Sequence, residues 1–416
     1  MAPFEDTRAF QRGGRREAKR LQGRPVPSHR LRGTEGARRP RGGVVSFSSP
    51  SSQEGAARTN GATPVVRRIL RESRAYKATL GNGFSLHSPM VAQALANLGA
   101  TEDQIQGQFE FAILKNERYK LLPIEKDAGG VQINEDNWRE HCTSTAEGEM
   151  AFRLFWTEQI RGRGAHQAIR RCLSELSDGV HSRLHHGVIR LAYAVQGGQE
   201  EEIAAALAAF CVNYNPLPAL EGHPAPAPVH AEDTDGMDLF AEVASLLDDD
   251  PAGRRPEGVG KAWQRMMKDP EVLSRVPCVI GLSSGDGLNW LVRHAVYLYL
   301  TRPNIFTLHM VTGLHALVVL KQYYDEEDFE TALECHWMSV ACVFLAVKAP
   351  EIISLARARA KYPIQSWDAL IDLVTSTVHG DHEIKAVDTA LDMSKRFPML
   401  SEEFELAGSI VKRFRN

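Results

Sequence analysis

Histidine is the residue type in this chain that could carry chemistry, because 15 His are present and several lie in otherwise apolar segments. A neutral imidazole is the commonest side-chain ligand for a transition metal, and burying one without a partner is costly. Four places combine a His with a helical pattern, and they hold His87, His185 with His186, His309 with His315, and His382. Each of these His also has an ordinary interpretation, as a core or surface imidazole that bonds to the backbone or to water.

The sequence pattern indicates a buried side chain more clearly at His185 and His186 than at His87. His87 precedes Pro89, which fits the first turn of a helix, so His87 lies at a helix start, where a cap or surface role is common. His186 and Tyr193 share one helical stripe, whereas the neighbouring His185 lies on another. The helix is apolar most of the way round, so at least one of the two His should face the interior.

His309 and His315 are six residues apart, which is about 600° around a helix and leaves their rings roughly 120° apart. One of them can bind a metal while the other packs or serves the substrate. His382 and Lys385 stand at i and i+3, on one face of a helix. Such a pair is usually exposed, but Val387 begins a buried side of the same helix.

The usual catalytic fingerprints are missing from the sequence. It contains no GxGxxG after a strand and no GxxxxGK[ST], which excludes the common nucleotide-binding signatures. It also lacks a GxSxG nucleophile elbow and an HExxH zinc motif. The histidines are therefore the remaining candidates for a functional site, because none of these catalytic motifs is present.

Composition narrows the function classes further. Lys and Arg number 49 against 52 Asp and Glu, and a net charge of −3 gives no general reason to bind nucleic acid. The six Cys form no CxxC pair, which indicates a reducing compartment. The most apolar stretches, around 288–300 and 337–349, are short and interrupted by charges, so we expect no membrane span and a cytoplasmic protein.

Residues 1–60 differ from the rest of the chain. They contain twelve Arg and one Lys against five acidic residues, with many Gly, Ser and Pro. Such a segment cannot bury enough apolar surface to order itself, so we expect a disordered basic tail. Organelle targeting by this Arg- and Ser-rich segment is the alternative, although Glu5 and Asp6 come early for a transit peptide.

From residue 61 to residue 416 the pattern predicts one large all-α domain. Strand signals are almost absent, and a Pro-rich loop interrupts the helices at about 215–235. Gly99 is a helix stop and Thr101 the cap of the next helix. Further predicted helices include 137–143, 179–196, 304–324 and 382–395.

Four segments, in this order, resemble the questin-oxidase-like family. They are the helix start near His87, the segment His186-Gly187-Val188-Ile189-Arg190-Leu191-Ala192-Tyr193-Ala194, the segment His309-Met310-Val311-Thr312-Gly313, and the segment Asp381-His382-Glu383-Ile384-Lys385. The resemblance covers roughly residues 65–413 and leaves the basic N-terminus outside.

The resemblance implies an oxidoreductase of secondary metabolism that oxidises polyketide aromatics by Baeyer–Villiger-type oxygen insertion or ring cleavage. It implies a non-haem Fe(II) site whose ligands are four His and a carboxylated Lys. Carried over, these are His87, His186, His309, His382 and Lys385, with His185 and His315 as substitutes. A buried amine beside a metal loses its proton and can take up CO2, which gives an oxygen donor.

We assign His315 and Tyr193 to catalysis and expect an aromatic substrate and O2 as the reactants. Two alternatives remain open at this level. One is a metal-free, NADPH-dependent monooxygenase that uses the same pocket, although no nucleotide fingerprint supports it. The other is a non-enzymatic helical scaffold in which the histidines are structural.

Overall fold

The computed structural model describes residues 63–124, 130, 132–143, 148–220, 227–233, 238–249, 258–376 and 380–411. The predicted tail, residues 1–60, lies outside the described residues. Within them most residues are helical and the strands are only two residues long, which confirms the all-α prediction. The helices are α1 (Pro64–Ser73), α2 (Ser88–Asn97), α3 (Glu102–Tyr119), α4 (Glu149–Arg163), α5 (Ala165–Glu175), α6 (His186–Gly197), α7 (Glu200–Asn213), α8 (Asp238–Asp249), α9 (Val259–Met266), α10 (Pro270–Arg275), α11 (Gly285–Thr301), α12 (Ile305–Leu320), α13 (Glu326–Ala346), α14 (Leu355–Lys361), α15 (Trp367–Ser376), α16 (Asp381–Arg396) and α17 (Ser401–Ser409).

Side-chain caps fix where several helices begin and end. Thr101 caps α3, and its side chain and that of Gln104 form a reciprocal capping box. Gly99 has a φ of 80°, a left-handed conformation that ends the preceding helix at little cost. Asn304 caps α12 in the same reciprocal way with Thr307. The predicted stop at Gly99 and cap at Thr101 are therefore confirmed.

Two predicted helices differ from the structure. Residues 137–143 form turns rather than a helix. The stretch 179–196 becomes helical only at His186, because Arg183, Leu184 and His185 have positive φ values of 52°, 57° and 65°. An apolar pattern cannot reveal such a turn, since it depends on backbone angles that the neighbouring elements impose.

The described strands are two residues each. β1 (Val229–His230) pairs in parallel with β2 (Val279–Ile280), with Val229 opposite Val279. β1 falls inside the predicted Pro-rich loop, and a single 3₁₀ turn follows it at Ala231–Asp233. The rest of that loop is without regular structure or lies outside the described residues.

Four helices, α2, α6, α12 and α16, form a closed ring at the centre of the fold. α2 packs on α6, α6 on α12, α12 on α16, and α16 on α2. Asn97 at the end of α2 bonds Gln196 at the end of α6, and Tyr193 of α6 bonds Asp388 of α16. His315 of α12 likewise contacts Asp392 of α16. These contacts in the later parts of the helices, together with the contacts at their starts described below, show that the four helices run in the same direction.

α12 is the most apolar helix of the ring. With its continuation to Tyr323, Ile305–Tyr323 is long and apolar enough to cross a membrane by length and composition, and it is the one such helix among the described residues. The share of its most apolar window that is buried inside the protein is 72%. The sequence analysis placed the most apolar stretches elsewhere, in segments that form α11 and α13.

Candidate functional site

The structure brings together His87, His186, His309 and His382 at the starts of the four ring helices. His87 immediately precedes α2, His186 and His382 lie in the first two residues of α6 and α16, and His309 is the fifth residue of α12. Their imidazoles form a closed circuit, with ring centroids 4.9 Å (His87–His186), 4.7 Å (His186–His309), 5.1 Å (His309–His382) and 4.9 Å (His382–His87) apart. Side chains that are far apart in sequence thus share one small volume.

The Nδ1 atoms of three of these rings face hydrogen-bond acceptors. Nδ1 of His186 lies 2.5 Å from the carbonyl oxygen of Arg183, and Nδ1 of His309 lies 2.5 Å from that of Ile305. Nδ1 of His87 lies 3.3 Å from a carboxylate oxygen of Asp381. Because a carbonyl or carboxylate oxygen only accepts, these contacts assign the proton of each neutral ring to Nδ1.

The Nε2 atoms of the same three rings face one another. Nε2 of His186 lies 2.8 Å from Nε2 of His87 and 3.3 Å from Nε2 of His309. With the ring protons on Nδ1, Nε2 of the neutral rings of His186 and His309 presents a lone pair, and these two nitrogens converge with Nε2 of His87. Burial, and then the neighbouring positive groups, hold the pKa values of His186, His309 and His382 well below the usual range, which keeps these rings neutral.

Lys385 lies beside the four imidazoles, one turn after His382 on α16. It is only 1% exposed, and its Nζ makes no hydrogen bond to any described residue. Burial lowers the pKa of Lys385 to about 8, although the carboxylate of Asp381 opposes this change. A buried amine without a partner is costly, so its presence needs a reason other than stability.

The separations between the imidazole nitrogens are close to those between the ligands of a metal ion. Among the residues that the structure describes, no group of three or more His, Cys, Asp or Glu side chains is already arranged to hold one. However, bonds of about 2.1 Å at about 90° place two neighbouring ligand nitrogens about 3 Å apart. The Nε2 separations of 2.8 and 3.3 Å lie on either side of that value. These two nitrogen separations match those of a metal coordination shell, whereas the described side chains as placed do not form a complete one.

Tyr193 and His315 do not join this cluster. They lie six to seven residues further along α6 and α12, about 10 Å along the helix axes. The Tyr193 hydroxyl donates to Asp388 at 2.9 Å, and Nε2 of His315 lies 2.8 Å from Asp392. Burial raises the pKa of Asp388 to about 6. The catalytic role assigned to Tyr193 and His315 stays a prediction, and the structure places both in a second polar cluster.

The sequence also matches the model of a known protein family. The family model for questin oxidase-like proteins matches residues 84–390. The chain belongs to the questin oxidase-like family. No curated protein matches the chain. The matched range begins just before His87 and ends just after Lys385, so it contains all five clustered residues.

Membership in the questin oxidase-like family makes this protein an oxidoreductase that acts on polyketide-type small molecules.

Three acidic residues of α16, to which the sequence pattern assigned no role, lie beside the predicted residues. Asp381 contacts His87, whereas Asp388 and Asp392 contact Tyr193 and His315. Their spacing at i, i+7 and i+11 was a signal, because it places all three on the face that carries Lys385.

Proposed function

We propose that the protein is a non-haem iron oxygenase that oxidises an aromatic, polyketide-type molecule with O2. The proposed ligands of Fe(II) are His87, His186, His309, His382 and a carboxylated Lys385. This proposal goes beyond the family assignment, which establishes the oxidoreductase class and the type of substrate.

The observation that carries the proposal is the convergence of the Nε2 atoms of His87, His186 and His309. Nε2 of His186 lies 2.8 Å from Nε2 of His87 and 3.3 Å from Nε2 of His309, and the neutral rings of His186 and His309 turn their lone pairs toward each other, an arrangement that a cation among the three nitrogens would stabilise. The acceptors on Nδ1 hold the rings in this orientation, as the outer partners of metal-binding His usually do. Burial disfavours a shared proton as that cation, because it lowers the pKa values of His186 and His309.

The environment of Lys385 supports the carboxylated form. With a pKa of about 8, about one amine in ten is neutral at pH 7, against about one in three thousand for an ordinary lysine. The neutral Nζ attacks the carbon of CO2, an N–C bond forms, and one proton leaves to solvent, which gives a carbamate anion. The product supplies an oxygen donor to a shell that otherwise holds only neutral nitrogens.

The helix starts favour the anionic ligand of this site, although they oppose the charge of the cation itself. A helix N-terminus carries a partial positive charge, which stabilises an anionic ligand and disfavours a protonated imidazole. One side of the cluster is more exposed to solvent than the other. The side chains of His87 and Asp381 are 12% and 20% exposed, whereas His309 is 2% exposed. We place substrate entry at that side, where His87 and Asp381 meet the solvent.

When bound, Fe(II) supplies the electrons and the open coordination position that O2 chemistry needs and that side chains lack. The residues of the chain contribute the rest. Acceptors at Nδ1 orient three of the four imidazoles, with Asp381 as the acceptor for His87, and the apolar α12 excludes water behind His309. NADPH remains the proposed reductant of the metal-free alternative.

Metal quantitation on anaerobically purified protein, followed by O2 uptake with hydroxylated anthraquinones, tests the proposal. We expect about one iron per chain in the wild type and a loss of both iron and O2 uptake in His309→Ala. The matched control is His294→Gln, which alters a buried His whose Nδ1 lies 2.8 Å from the Trp290 carbonyl oxygen in α11. Metal-free wild-type protein that consumes NADPH and O2 would overturn the iron proposal in favour of the alternative.

A further inference from the structure

A strained turn directly precedes His186. Arg183, Leu184 and His185 are three consecutive non-glycine residues in the left-handed region, with φ values of 52°, 57° and 65°. Side chains with a Cβ seldom adopt this conformation, and a run of three persists only where the surroundings impose it. Contacts with surrounding residues must therefore hold Arg183, Leu184 and His185 in this unfavourable conformation.

The turn has a direct consequence for the site. It aims the carbonyl oxygen of Arg183 at Nδ1 of His186, at 2.5 Å, and it ends as α6 begins with His186. The carbonyl fixes both the proton position and the direction of the His186 ring. If the turn relaxed toward the right-handed region, this carbonyl would point elsewhere and Nε2 of His186 would lose its direction toward the other rings.

We propose that His185, held by His336 and Gly313, is a positioning residue that keeps this turn in place and thereby orients His186 toward the metal. The proposal rests on the iron site proposed above. It gives the two adjacent His residues separate roles: His186 is the ligand, and His185 acts through it.

The contacts of His185 support this role. The His185 side chain is fully buried, and its Nε2 lies 3.0 Å from Nδ1 of His336 on α13. The two rings meet edge to face, with centroids 4.7 Å apart. His336 therefore engages Nε2 of His185, whereas Nδ1 of His185 makes no hydrogen bond to a described residue.

Gly313 lies on the other side of the His185 ring. A Cβ at position 313 would lie 2.6 Å from Cγ and 2.9 Å from Cδ2 of His185, closer than real contacts allow. Gly313 is on α12, one turn after His309, so the ring of His185 rests against the helix that carries a second ligand. The same contact therefore sets both the turn and the spacing between His186 and His309.

A second anchor holds the beginning of the turn. Nη2 of Arg183 donates to the hydroxyl oxygen of Thr79 at 3.2 Å, and the Thr79 hydroxyl donates to Asn213 of α7 at 3.2 Å. Thr79 forms an antiparallel bridge with Ser85, two residues before His87. The turn is thus attached at one end to the segment that leads into His87 and at the other end to α12 and α13.

Metal affinity is the measurement that separates positioning from a purely structural role. The test is to measure Fe(II) binding under anaerobic conditions, and Co(II) absorption spectra, for the wild type, His336→Leu, His336→Asn and Gly313→Ala. His336→Leu removes the partner of His185, and Gly313→Ala displaces its ring. We expect affinity to fall about 10- to 100-fold in both, as is typical for residues that orient a ligand, with an altered Co(II) spectrum.

His336→Asn is the rescue variant, because its amide occupies the place of Nδ1 and can bond His185 in either tautomer. We expect it to retain more affinity than His336→Leu. His294→Leu is the control for loss of a buried His elsewhere, and its affinity should stay within about threefold of the wild type. Folding is checked by circular dichroism, so that affinities are compared among folded proteins.

A double substitution keeps the inference testable if the single variants are too unstable. His185→Gly allows the positive φ without strain and removes the ring that Gly313→Ala would strike. In that background, Gly313→Ala should cost no further affinity. Wild-type affinity in folded His336→Leu and Gly313→Ala would overturn the positioning role alone. Absence of metal binding in the wild type would overturn the iron site and this inference together.

Discussion

Replacing Lys385 by Met should stabilise the metal-free protein while removing its capacity to bind metal. The amine of Lys385 is buried, makes no hydrogen bond to a described residue and has a pKa lowered from 10.5 to about 8. At 1.36 kcal/mol per pKa unit, this difference corresponds to about 3 kcal/mol of unfolding free energy at pH 7. Met has a similar length and needs no partner, so most of that cost should disappear in the variant.

The pH dependence gives the sign of the effect. Between pH 8 and 10.5 the unfolded chain binds the Lys385 proton and the folded chain does not, so the free energy of unfolding of the wild type rises with pH in this window. Below pH 8 both states bind the proton, and the folded state bears the full cost of a buried charge. The advantage of Lys385→Met should therefore be constant below about pH 8 and shrink to near zero by about pH 10.5.

Urea denaturation in the presence of a chelator measures this difference at pH 7 and across the range 7.5–10.5. Taking the variant minus the wild type cancels the titration of other groups. Lys395→Met, an exposed lysine of the same helix, is the matched control and should change stability by no more than about 0.5 kcal/mol. A Lys385→Met protein that is less stable than the wild type, with a difference independent of pH, would refute the account of a costly buried amine.

Lys385→Glu is the companion variant for the ligand role. It keeps an oxygen donor but has a shorter reach than a carbamate, so we expect partial metal binding and poor turnover. Normal iron content and turnover in Lys385→Met would contradict the ligand role of Lys385. The proposed iron site would then consist of histidines alone.

Three further predictions concern the surrounding structure. Gly187→Ala places a Cβ 2.7 Å from Cδ2 of Phe210, so it should lower the unfolding free energy by about 1–3 kcal/mol in urea titrations, whereas Gly162→Ala meets no atom within 4 Å and should be neutral or stabilising. Asp388→Asn should gain up to about 3 kcal/mol relative to the wild type as pH rises from 4 to 6, because burial raises the pKa of Asp388 to about 6 and the charged form is costly in the folded state; a difference that does not change with pH would contradict this. Deletion of residues 1–60 should leave the melting temperature and O2 uptake unchanged, and a large fall in melting temperature would show that the segment joins the core.

The sequence by itself determined the fold class and several helix ends. Apolar residues at helical spacing and the near absence of alternating patterns indicated an all-α protein, because burial of one face imposes its period on the sequence. Local chemistry also fixed the boundary at Gly99 and Thr101, since a left-handed stop and a side-chain cap need only neighbouring residues. Four short segments in order, which hold His87, His186, His309 and the pair His382 and Lys385, indicated the family.

Only the tertiary structure decided how the histidines divide their roles. His185 and His186 are adjacent and chemically identical, and the left-handed turn that precedes His186 contacts Gly313 and His336 from two other helices. The sequence predicted a continuous helix there, because periodicity does not report backbone angles that distant contacts enforce. The neighbouring pair His309 and His315 separates for the same reason: whether a ring on α12 meets His186 or Asp392 depends on which helix packs against that part of α12.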